Sequence, residues 1–129
     1  MKFTNSLIKG KLLKRYKRFF ADIKVNNKII TAHCPNTGSM QGLLDQGNEV
    51  LVTEHNDPKR KLKFTLEIIK AKKRYVGVNT HRANKIVTHG LENKLISEFK
   101  TIKNIKPEFK FSDDTRFDFL CDDNLIEVK

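Results

Sequence analysis

The sequence predicts a mixed β and α/β protein, with a five-stranded barrel of the OB type over residues 1–80 and the start of an α/β domain over residues 81–129. Five short runs of alternating apolar and polar residues, with one short helical insertion, fill the first eighty residues. After Thr80 the apolar residues recur at helical spacing, and the charge balance changes at the same point. A chain of 129 residues is long enough for one domain and part of another.

The net charge of +11 lies entirely in the first part of the chain. Residues 1–80 contain seventeen Lys and Arg against six Asp and Glu, whereas residues 81–129 contain nine of each kind. This asymmetry predicts that the first part binds a polyanion and that the second part has another role. A generally lysine-rich proteome, in which surface lysines carry no function, is the alternative. A neutral oligosaccharide, which some OB barrels bind, would gain little from this charge.

The sequence contains no signal for export or membrane insertion. No apolar run has transmembrane length, and the first residues lack the continuous apolar segment of a secretory signal. Cys34 and Cys121 are far apart and outside any metal-binding spacing, which indicates free thiols in a reducing compartment. We therefore expect a cytoplasmic protein without a membrane partner, and the sequence leaves its oligomeric state open.

The first strands of the barrel carry a candidate nucleic-acid surface. From Lys14 onward one face mixes Tyr16 and Phe20 with basic side chains, the combination of stacking rings and positive charge that binds single-stranded nucleic acid. Cover by a neighbouring element is the alternative for these two rings. A turn is expected at Asn26 and Asn27. The residues predicted to face the core are Phe19, Ala21, Ile23 and Val25.

The loop at residues 35–40 is a candidate anion site. It combines hydroxyl and amide side chains with a flexible Gly38, and we expect a short helix over residues 41–44 whose free N–H groups point back into it. The loop matches no glycine-rich phosphate motif, so an ordinary connection between a strand and a helix is the alternative.

Further strands are expected at residues 49–55, 62–68 and 73–80, with basic runs at residues 59–61 and 70–74 where a groove could gather them. No recognition helix of the helix-turn-helix type is evident, which favours contacts with the nucleic-acid backbone. The candidate nucleic-acid-binding residues are Arg15, Tyr16, Lys17, Arg18, Phe20, Asn36, Thr37, Ser39, Lys59, Arg60, Lys61 and Lys63.

The last fourteen residues predict a β-hairpin with two acidic side chains on one face. Asp122 and Asp123 suit a two-residue loop, and the resulting register places Asp118 opposite Glu127. Like charges directly opposite each other are destabilising, so the pair calls for a cation. Lys129 lies on the face of Glu127, and a hard divalent metal such as Mg²⁺ would add more positive charge. Glu-x-Lys occurs three further times in this chain, so a solvated hairpin face is the alternative.

Between the barrel and the hairpin, the apolar spacing of residues 82–98 predicts one or two helices that are interrupted at Gly90 and carry Glu92 and Glu98. Residues 105–111 resume a strand. The sequence reaches Lys129 with the last strand just formed, so we expect the second domain to be incomplete.

Several stretches resemble the sugar fermentation stimulation protein A (SfsA) family. They are RYKRF at residues 15–19, TAHCPNTGSM at 31–40, NDPKRKLKF at 56–64, VGVNT at 76–80, RFDFL at 116–120 and EVK at 127–129. The second stretch is long and unusual, which makes the resemblance specific. The resemblance implies an N-terminal OB-fold, a domain similar to the PD-(D/E)xK nucleases, DNA binding and a link to maltose metabolism. Family members continue past this point, so the chain resembles a member that is truncated at the C-terminus.

The resemblance also implies roles for the hairpin carboxylates. Asp118 and Glu127 would bind Mg²⁺ or Mn²⁺, Lys129 would help to place the attacking water, and Glu98 is the nearest candidate for a third metal ligand, followed by Glu92. Two hypotheses follow. The protein is a DNA-binding protein, and a regulator of maltose metabolism, in which the acidic site is inert, or it is a metal-dependent nuclease with Asp118, Glu127 and Lys129 as catalytic residues. Because the family members that it resembles continue past Lys129, the resemblance does not by itself imply that this chain is active.

Overall fold

The computed structural model describes residues 2–129, which form two compact units. We call Lys2–Thr80 the barrel unit and His81–Lys129 the hairpin unit. No helix within residues 2–129 is both long enough and apolar enough to cross a membrane.

The barrel unit is a six-stranded sheet in the order β3-β2-β1-β4-β5-β6, in which sequential neighbours in this order are antiparallel. A parallel pairing of β3 with β5, at Ala32 with Phe64 and His33 with Thr65, closes the first five strands into a barrel. This confirms the predicted barrel of the OB type. The strand bounds are β1 Leu7–Tyr16, β2 Phe20–Val25, β3 Lys28–His33, β4 Glu49–Glu54, β5 Phe64–Ala71 and β6 Arg74–Gly77.

The core of the barrel unit comes from alternate residues of its strands, as the pleat of a sheet requires. Gly10 lets β1 pass close to β2, because a Cβ atom there would lie 2.5 Å from Cγ2 of the buried Ile23 and 3.0 Å from the carbonyl oxygen of Lys24. The fully buried apolar residues are Leu12, Ala21, Ile23, Ala32, Cys34, Val50, Val52, Leu66 and Ile69.

A buried carboxylate also belongs to the barrel unit. Glu67 of β5 is only 2% exposed. It accepts hydrogen bonds from Oγ1 of Thr53 at 2.8 Å and from Nδ2 of Asn79 at 3.0 Å. These donors compensate part of the cost of removing the carboxylate from water.

A tight turn at residues 17–19 interrupts the alternation that was expected from Lys14 to Val25. Lys17 and Arg18 have φ values of 49° and 61°, so the chain reverses and Tyr16 pairs with Phe20 across the β1–β2 hairpin. Ala21 and Ile23 are buried as predicted, and Val25 packs against the core. The predicted core position of Phe19 is wrong, because this residue lies in the turn and is 46% exposed.

The short helix expected over residues 41–44 is not formed. These residues make a single turn in which the N–H of Leu43 donates to the carbonyl of Met40 at 3.1 Å. Met40 and Gly42 have φ values of 51° and 79°, in the left-handed region that a right-handed helix cannot continue through. The loop is anchored instead by burial of Met40, whose Sδ lies 3.6 Å from Sγ of Cys34. The predicted anion site therefore lacks its helix.

The hairpin unit packs one helix on a three-stranded antiparallel sheet in the order β7-β8-β9. Gly90 does not end the helix, and a Cβ atom there would lie 3.3 Å from Ile96, so glycine allows the following turn to pack closely. Leu91, Phe119 and Cys121 are the buried residues of the core. A 3₁₀ turn, Thr80–Arg82, connects the two units along the chain. The elements of the hairpin unit are α1 Ala83–Glu92, a 3₁₀ turn Ser97–Phe99, β7 Ile105–Lys110, β8 Arg116–Cys121 and β9 Asn124–Ile126.

Candidate functional site

A cleft of about 320 Å³ opens on the barrel unit between the β1–β2 turn and the loop from β4 to β5. The pairing of His33 with Thr65 brings these two segments together where the barrel closes. The cleft thus combines aromatic, apolar and cationic side chains. Its lining residues are Phe19, Phe20, His33, Arg60, Lys61 and Leu62.

Hydrogen bonds order the backbone of the loop from β4 to β5 and orient one of its basic side chains, that of Arg60. Asp57 organises the loop, because its side chain accepts the N–H of Lys59 at 2.9 Å and its carbonyl accepts the N–H of Arg60 at 3.1 Å. Nη2 of Arg60 donates to Oγ1 of Thr65 at 2.7 Å. Arg60 is therefore half-buried and oriented, whereas Lys59 and Lys61 are exposed.

Arg15, a predicted nucleic-acid contact, makes its hydrogen bonds within the barrel unit. Its Nε donates to the carbonyl of Arg18 at 3.1 Å, and its Nη2 donates to the carbonyl of Asn36 at 2.6 Å. Burial raises the pKa of the neighbouring Cys34 thiol, against the opposing effect of the Arg15 charge. These contacts make Arg15 a residue that positions the β1–β2 turn and the loop at residues 35–40.

The predicted stacking rings Tyr16 and Phe20 lie against each other. Their centroids are 5.4 Å apart with an interplanar angle of 22°. The Tyr16 hydroxyl donates to Asp22 at 3.2 Å, and Nζ of Lys14 lies 5.2 Å from the centroid of the Tyr16 ring. Both rings are half-buried, and Phe20 also lines the cleft. Stacking of a base on either ring stays a prediction.

The other residues that were predicted to contact nucleic acid either are exposed basic residues near the cleft or belong to the loop at residues 35–40. Lys17 and Arg18 are exposed in the turn that carries Phe19, and Lys63 is exposed just before β5. Asn36, Thr37 and Ser39 belong to the loop at residues 35–40 and do not line the cleft. Oδ1 of Asn36 accepts the N–H of Gly38 at 2.9 Å, which is the local turn that asparagine favours.

Sequence reasoning missed three residues of the cleft, namely Phe19, His33 and Leu62. Phe19 was assigned to the core because Lys17 and Arg18 are not turn-forming residue types and gave no signal of the reversal. His33 and Leu62 reach the cleft through the closure of the barrel, which is a long-range contact.

The terminal hairpin has the register that a two-residue loop predicts. Asp122 has a φ of 50°, Cys121 pairs with Asn124, and Phe119 pairs with Ile126. The regular ladder ends at Ile126, so the predicted pairing of Asp118 with Glu127 is not formed. The Asp118 carboxylate instead accepts a hydrogen bond from the backbone N–H of Val128.

Asp118 is held from both sides within the hairpin unit. Its Oδ1 accepts a hydrogen bond from Nδ2 of Asn84 on α1 at 2.7 Å, and its Oδ2 accepts the N–H of Val128 at 2.8 Å. Oε1 of Glu127 lies 3.5 Å from Nζ of Lys129, with 45% of the Glu127 side chain exposed. Asp118 is thus a fixed carboxylate, and Glu127 and Lys129 form an accessible ion pair in the segment that follows β9.

Glu98 lies in the 3₁₀ turn Ser97–Phe99 rather than in the helix, and it is exposed. The hydroxyl of Ser97 donates to its carboxylate at 2.6 Å and lowers the pKa of Glu98. Within residues 2–129 no three His, Cys, Asp or Glu side chains form a cluster that could hold a metal ion. Asp118, Glu127 and Glu98 are therefore not brought together as a preformed set of three ligands.

Asp122, in the hairpin turn, carries a structural charge. Its carboxylate accepts the backbone N–H of Asn104 at 2.9 Å and that of Lys103 at 3.1 Å. These hydrogen bonds lower the pKa of Asp122. Since its own N–H donates to the carbonyl of Asn104 at 3.0 Å, Asp122 ties the turn to the segment before β7.

The charge of Asp122 is expected to stabilise the hairpin unit at neutral pH and to lose this effect in acid. Because the folded-state pKa is depressed, the contribution is complete above the unfolded value of about 3.9 and disappears as the pH falls through the folded value. Asp122→Asn retains a residue that tolerates the turn but has no charge. Thermal unfolding followed by circular dichroism should show a lower midpoint for this variant at neutral pH, and the difference should vanish in acid. A difference that is independent of pH would contradict this role.

Two family models match the chain. One is described as the SfsA N-terminal OB domain and matches residues 13–78, and the other is described as the sugar fermentation stimulation protein RE domain and matches residues 81–129.

Curated relatives called sugar fermentation stimulation protein homologs are similar along all or nearly all of this chain. One from Pelagibacter ubique is 62% identical, over 100% of this chain and 57% of its own length. Another, from Alteromonas mediterranea, is 48% identical over 92% of this chain and 51% of its own length. The chain therefore spans about half the length of the curated relatives it matches.

A solved structure of Pyrococcus furiosus SfsA in complex with Ca²⁺ has a similar fold. It superposes with a TM-score of 0.78 at 21% sequence identity, and the match covers 94% of this chain and 51% of that one. At this identity the likeness supports the fold.

Proposed function

We propose that this chain, which belongs to the sugar fermentation stimulation protein (SfsA) family, binds DNA through the basic surface of its barrel unit. The observation that carries this proposal is the charge distribution, since the whole net charge of +11 falls in residues 1–80 and residues 81–129 are balanced. Neutralising DNA phosphates releases condensed counterions, which is the main source of affinity that is independent of base sequence. A regulatory role in maltose metabolism stays a prediction.

The arrangement of the cations supports this proposal. Lys17 and Arg18 in the β1–β2 turn are exposed, as are Lys59 and Lys61 in the loop from β4 to β5. These two connections are the ones through which OB folds bind oligonucleotides. Exposed lysines keep their hydration in the free protein, so they can exchange water for phosphate oxygens at little cost.

The DNA affinity of the chain is expected to fall steeply with salt and to persist in EDTA. For a duplex, the slope of log K against log[salt] is about −0.9 for each phosphate that is neutralised. Replacing Lys59 and Lys61 together by Gln should weaken binding and make the slope shallower by about two. Fluorescence anisotropy of a labelled oligonucleotide at several salt concentrations measures both quantities.

Lys85→Gln combined with Lys100→Gln is the matched control, because both lysines are exposed in the hairpin unit and the change in net charge is the same. This control should retain the affinity and the slope. Affinity that does not depend on salt, or an equal loss in the control, would overturn the assignment of DNA binding to the barrel unit.

A second candidate function is the hydrolysis of phosphodiester bonds with a divalent metal ion. The observation in its favour is the fixed carboxylate of Asp118, which lies in the same hairpin as the ion pair of Glu127 and Lys129. P. furiosus SfsA was solved with Ca²⁺, which is consistent with a site for hard divalent cations in the family.

The donor set of the hairpin fits such an ion. Mg²⁺ often binds through only one or two carboxylates and keeps water molecules and substrate phosphates as its other ligands. Asp118 and Glu127 would hold Mg²⁺ or Mn²⁺, and the bound ion would polarise the phosphate and lower the pKa of a water ligand. The hydrogen bonds from Asn84 and Val128 would keep Asp118 oriented. Lys129 would offset the negative charge that develops on the phosphate.

A further inference from the structure

We propose that the cleft between the β1–β2 turn and the loop from β4 to β5 binds one unpaired base of a single-stranded nucleic acid, with the ring of Phe19 as the stacking surface. This inference rests on the proposed DNA binding and specifies which form of the strand the barrel unit prefers.

Phe19 presents an exposed aromatic ring in a fixed position. The residue is 46% exposed, and hydrogen bonds hold both its N–H and its carbonyl group. Its N–H donates to the carbonyl of Lys17 at 2.7 Å, and its carbonyl accepts the N–H of Cys34 at 2.7 Å. The ring lies nearly parallel to that of His33, with an interplanar angle of 13° and a centroid distance of 6.5 Å. A ring held in this way loses little freedom when a base stacks on it.

The other side chains of the cleft suit the rest of a nucleotide. Phe20 and Leu62 provide apolar contact, while Arg60 and Lys61 bring positive charge to the same cleft. The guanidinium of Arg60 is oriented by its hydrogen bond to Thr65, at 2.7 Å. A flat apolar face beside cations is the chemistry that binds a base together with the phosphates that flank it.

The form of the cleft favours a single strand over a duplex. Its volume of about 320 Å³ is that of a small-ligand site, enough for a base. The bases of a duplex are stacked on one another and offer only their edges in the grooves, so they cannot use the face of Phe19. A base of a single strand can turn out of the strand and stack on an aromatic side chain.

The test compares a labelled oligothymidylate with a labelled duplex of the same length, using the full chain in EDTA. Phe19→Ala is expected to weaken binding of the single strand by about 5- to 150-fold, the usual effect of removing one stacking ring, and to leave duplex binding within about twofold. Phe19→Leu keeps an apolar side chain but has no ring face, so it should lose nearly as much. Phe111→Ala is the matched control, since Phe111 is 63% exposed in the hairpin unit and should retain the affinity for both probes.

The outcomes separate this inference from the function on which it rests. A loss confined to the single strand in both Phe19 variants, with unchanged thermal midpoints, supports the stacking site. Equal losses for both probes, no loss for either, or full retention by Phe19→Leu overturns the stacking site and leaves DNA binding in place. If the unmodified chain binds neither probe, the proposed DNA binding fails and the stacking site fails with it.

Discussion

Phe119→Ala is expected to lower the free energy of unfolding of the hairpin unit by about 3–5 kcal/mol. Phe119 is 1% exposed and packs in a core whose other buried residues are Leu91 and Cys121. Because so few residues form this core, the neighbours can refill little of the space that the ring leaves, and the cost of the cavity adds to the lost burial. The same substitution loosens the β8–β9 pair, where Phe119 lies opposite Ile126.

Denaturant unfolding followed by circular dichroism measures this loss, with Phe111→Ala as the control. Phe111 is 63% exposed and meets Phe117 edge to face at 6.0 Å, so its removal should cost about 1 kcal/mol or less. Equal effects of the two substitutions would show that Phe119 does not hold the core of the hairpin unit together. A larger effect of Phe119→Ala would establish the packing that supports the acidic hairpin.

The barrel and the terminal hairpin could be predicted because their signals are local. Alternation places Ala21 and Ile23 in the core. The turns at Asn26 and Asp122, with φ values of 53° and 50°, use residue types that tolerate the left-handed region. When strand pattern and turn chemistry agree, register follows, as the pairing of Phe119 with Ile126 demonstrates.

The position of Phe19 in the cleft was not predicted, because the contacts that hold the β1–β2 turn have no signature in the sequence. Lysine and arginine have no preference for the left-handed conformation that Lys17 and Arg18 adopt. The turn is held by the hydrogen bond from Arg15 to the carbonyl of Arg18 and by that from the N–H of Cys34 to the carbonyl of Phe19. Neither contact leaves a pattern in the sequence. Strand alternation alone therefore predicts a core position for Phe19, which is exposed in the turn.

The surroundings of Asp118 could likewise be predicted only in part, because some of its contacts are local in sequence and others are distant. The spacing within the hairpin is enough to bring the segment that contains Glu127 next to the strand that contains Asp118. The donor that fixes Asp118 comes from Asn84 on α1, and a contact across 34 residues has no local signature. The expected contribution of Glu98 depended on a helix that ends at Glu92, before Glu98 is reached.

Asp118→Asn and Glu127→Gln are each expected to abolish metal-dependent cleavage, if the hairpin is a catalytic site. Loss of a residue that only supports a ligand commonly costs 10- to 100-fold in metal affinity or activity, so loss of a ligand itself should cost about 100-fold or more. Titration of Mn²⁺ by calorimetry measures metal binding, and cleavage of single- and double-stranded DNA in Mg²⁺ or Mn²⁺ measures activity. Asp114→Asn, at an exposed carboxylate in the β7–β8 loop, is the control.

Comparing Asp118→Asn with Glu127→Gln distinguishes the loss of a metal ligand from the loss of a structural contact. Asparagine at position 118 has one acceptor oxygen for the two donors from Asn84 and Val128, so Asp118→Asn also disturbs the end of the hairpin. The Glu127 side chain is 45% exposed and its ion pair with Lys129 lies at the surface, so Glu127→Gln should leave the thermal midpoint unchanged. Loss of metal binding and cleavage in Glu127→Gln therefore cannot come from unfolding.

If cleavage by the unmodified chain persists in Glu127→Gln, or metal binding is the same in Asp118→Asn, Glu127→Gln and Asp114→Asn, Asp118 and Glu127 are not the metal ligands. The hairpin would then have no part in metal-dependent cleavage.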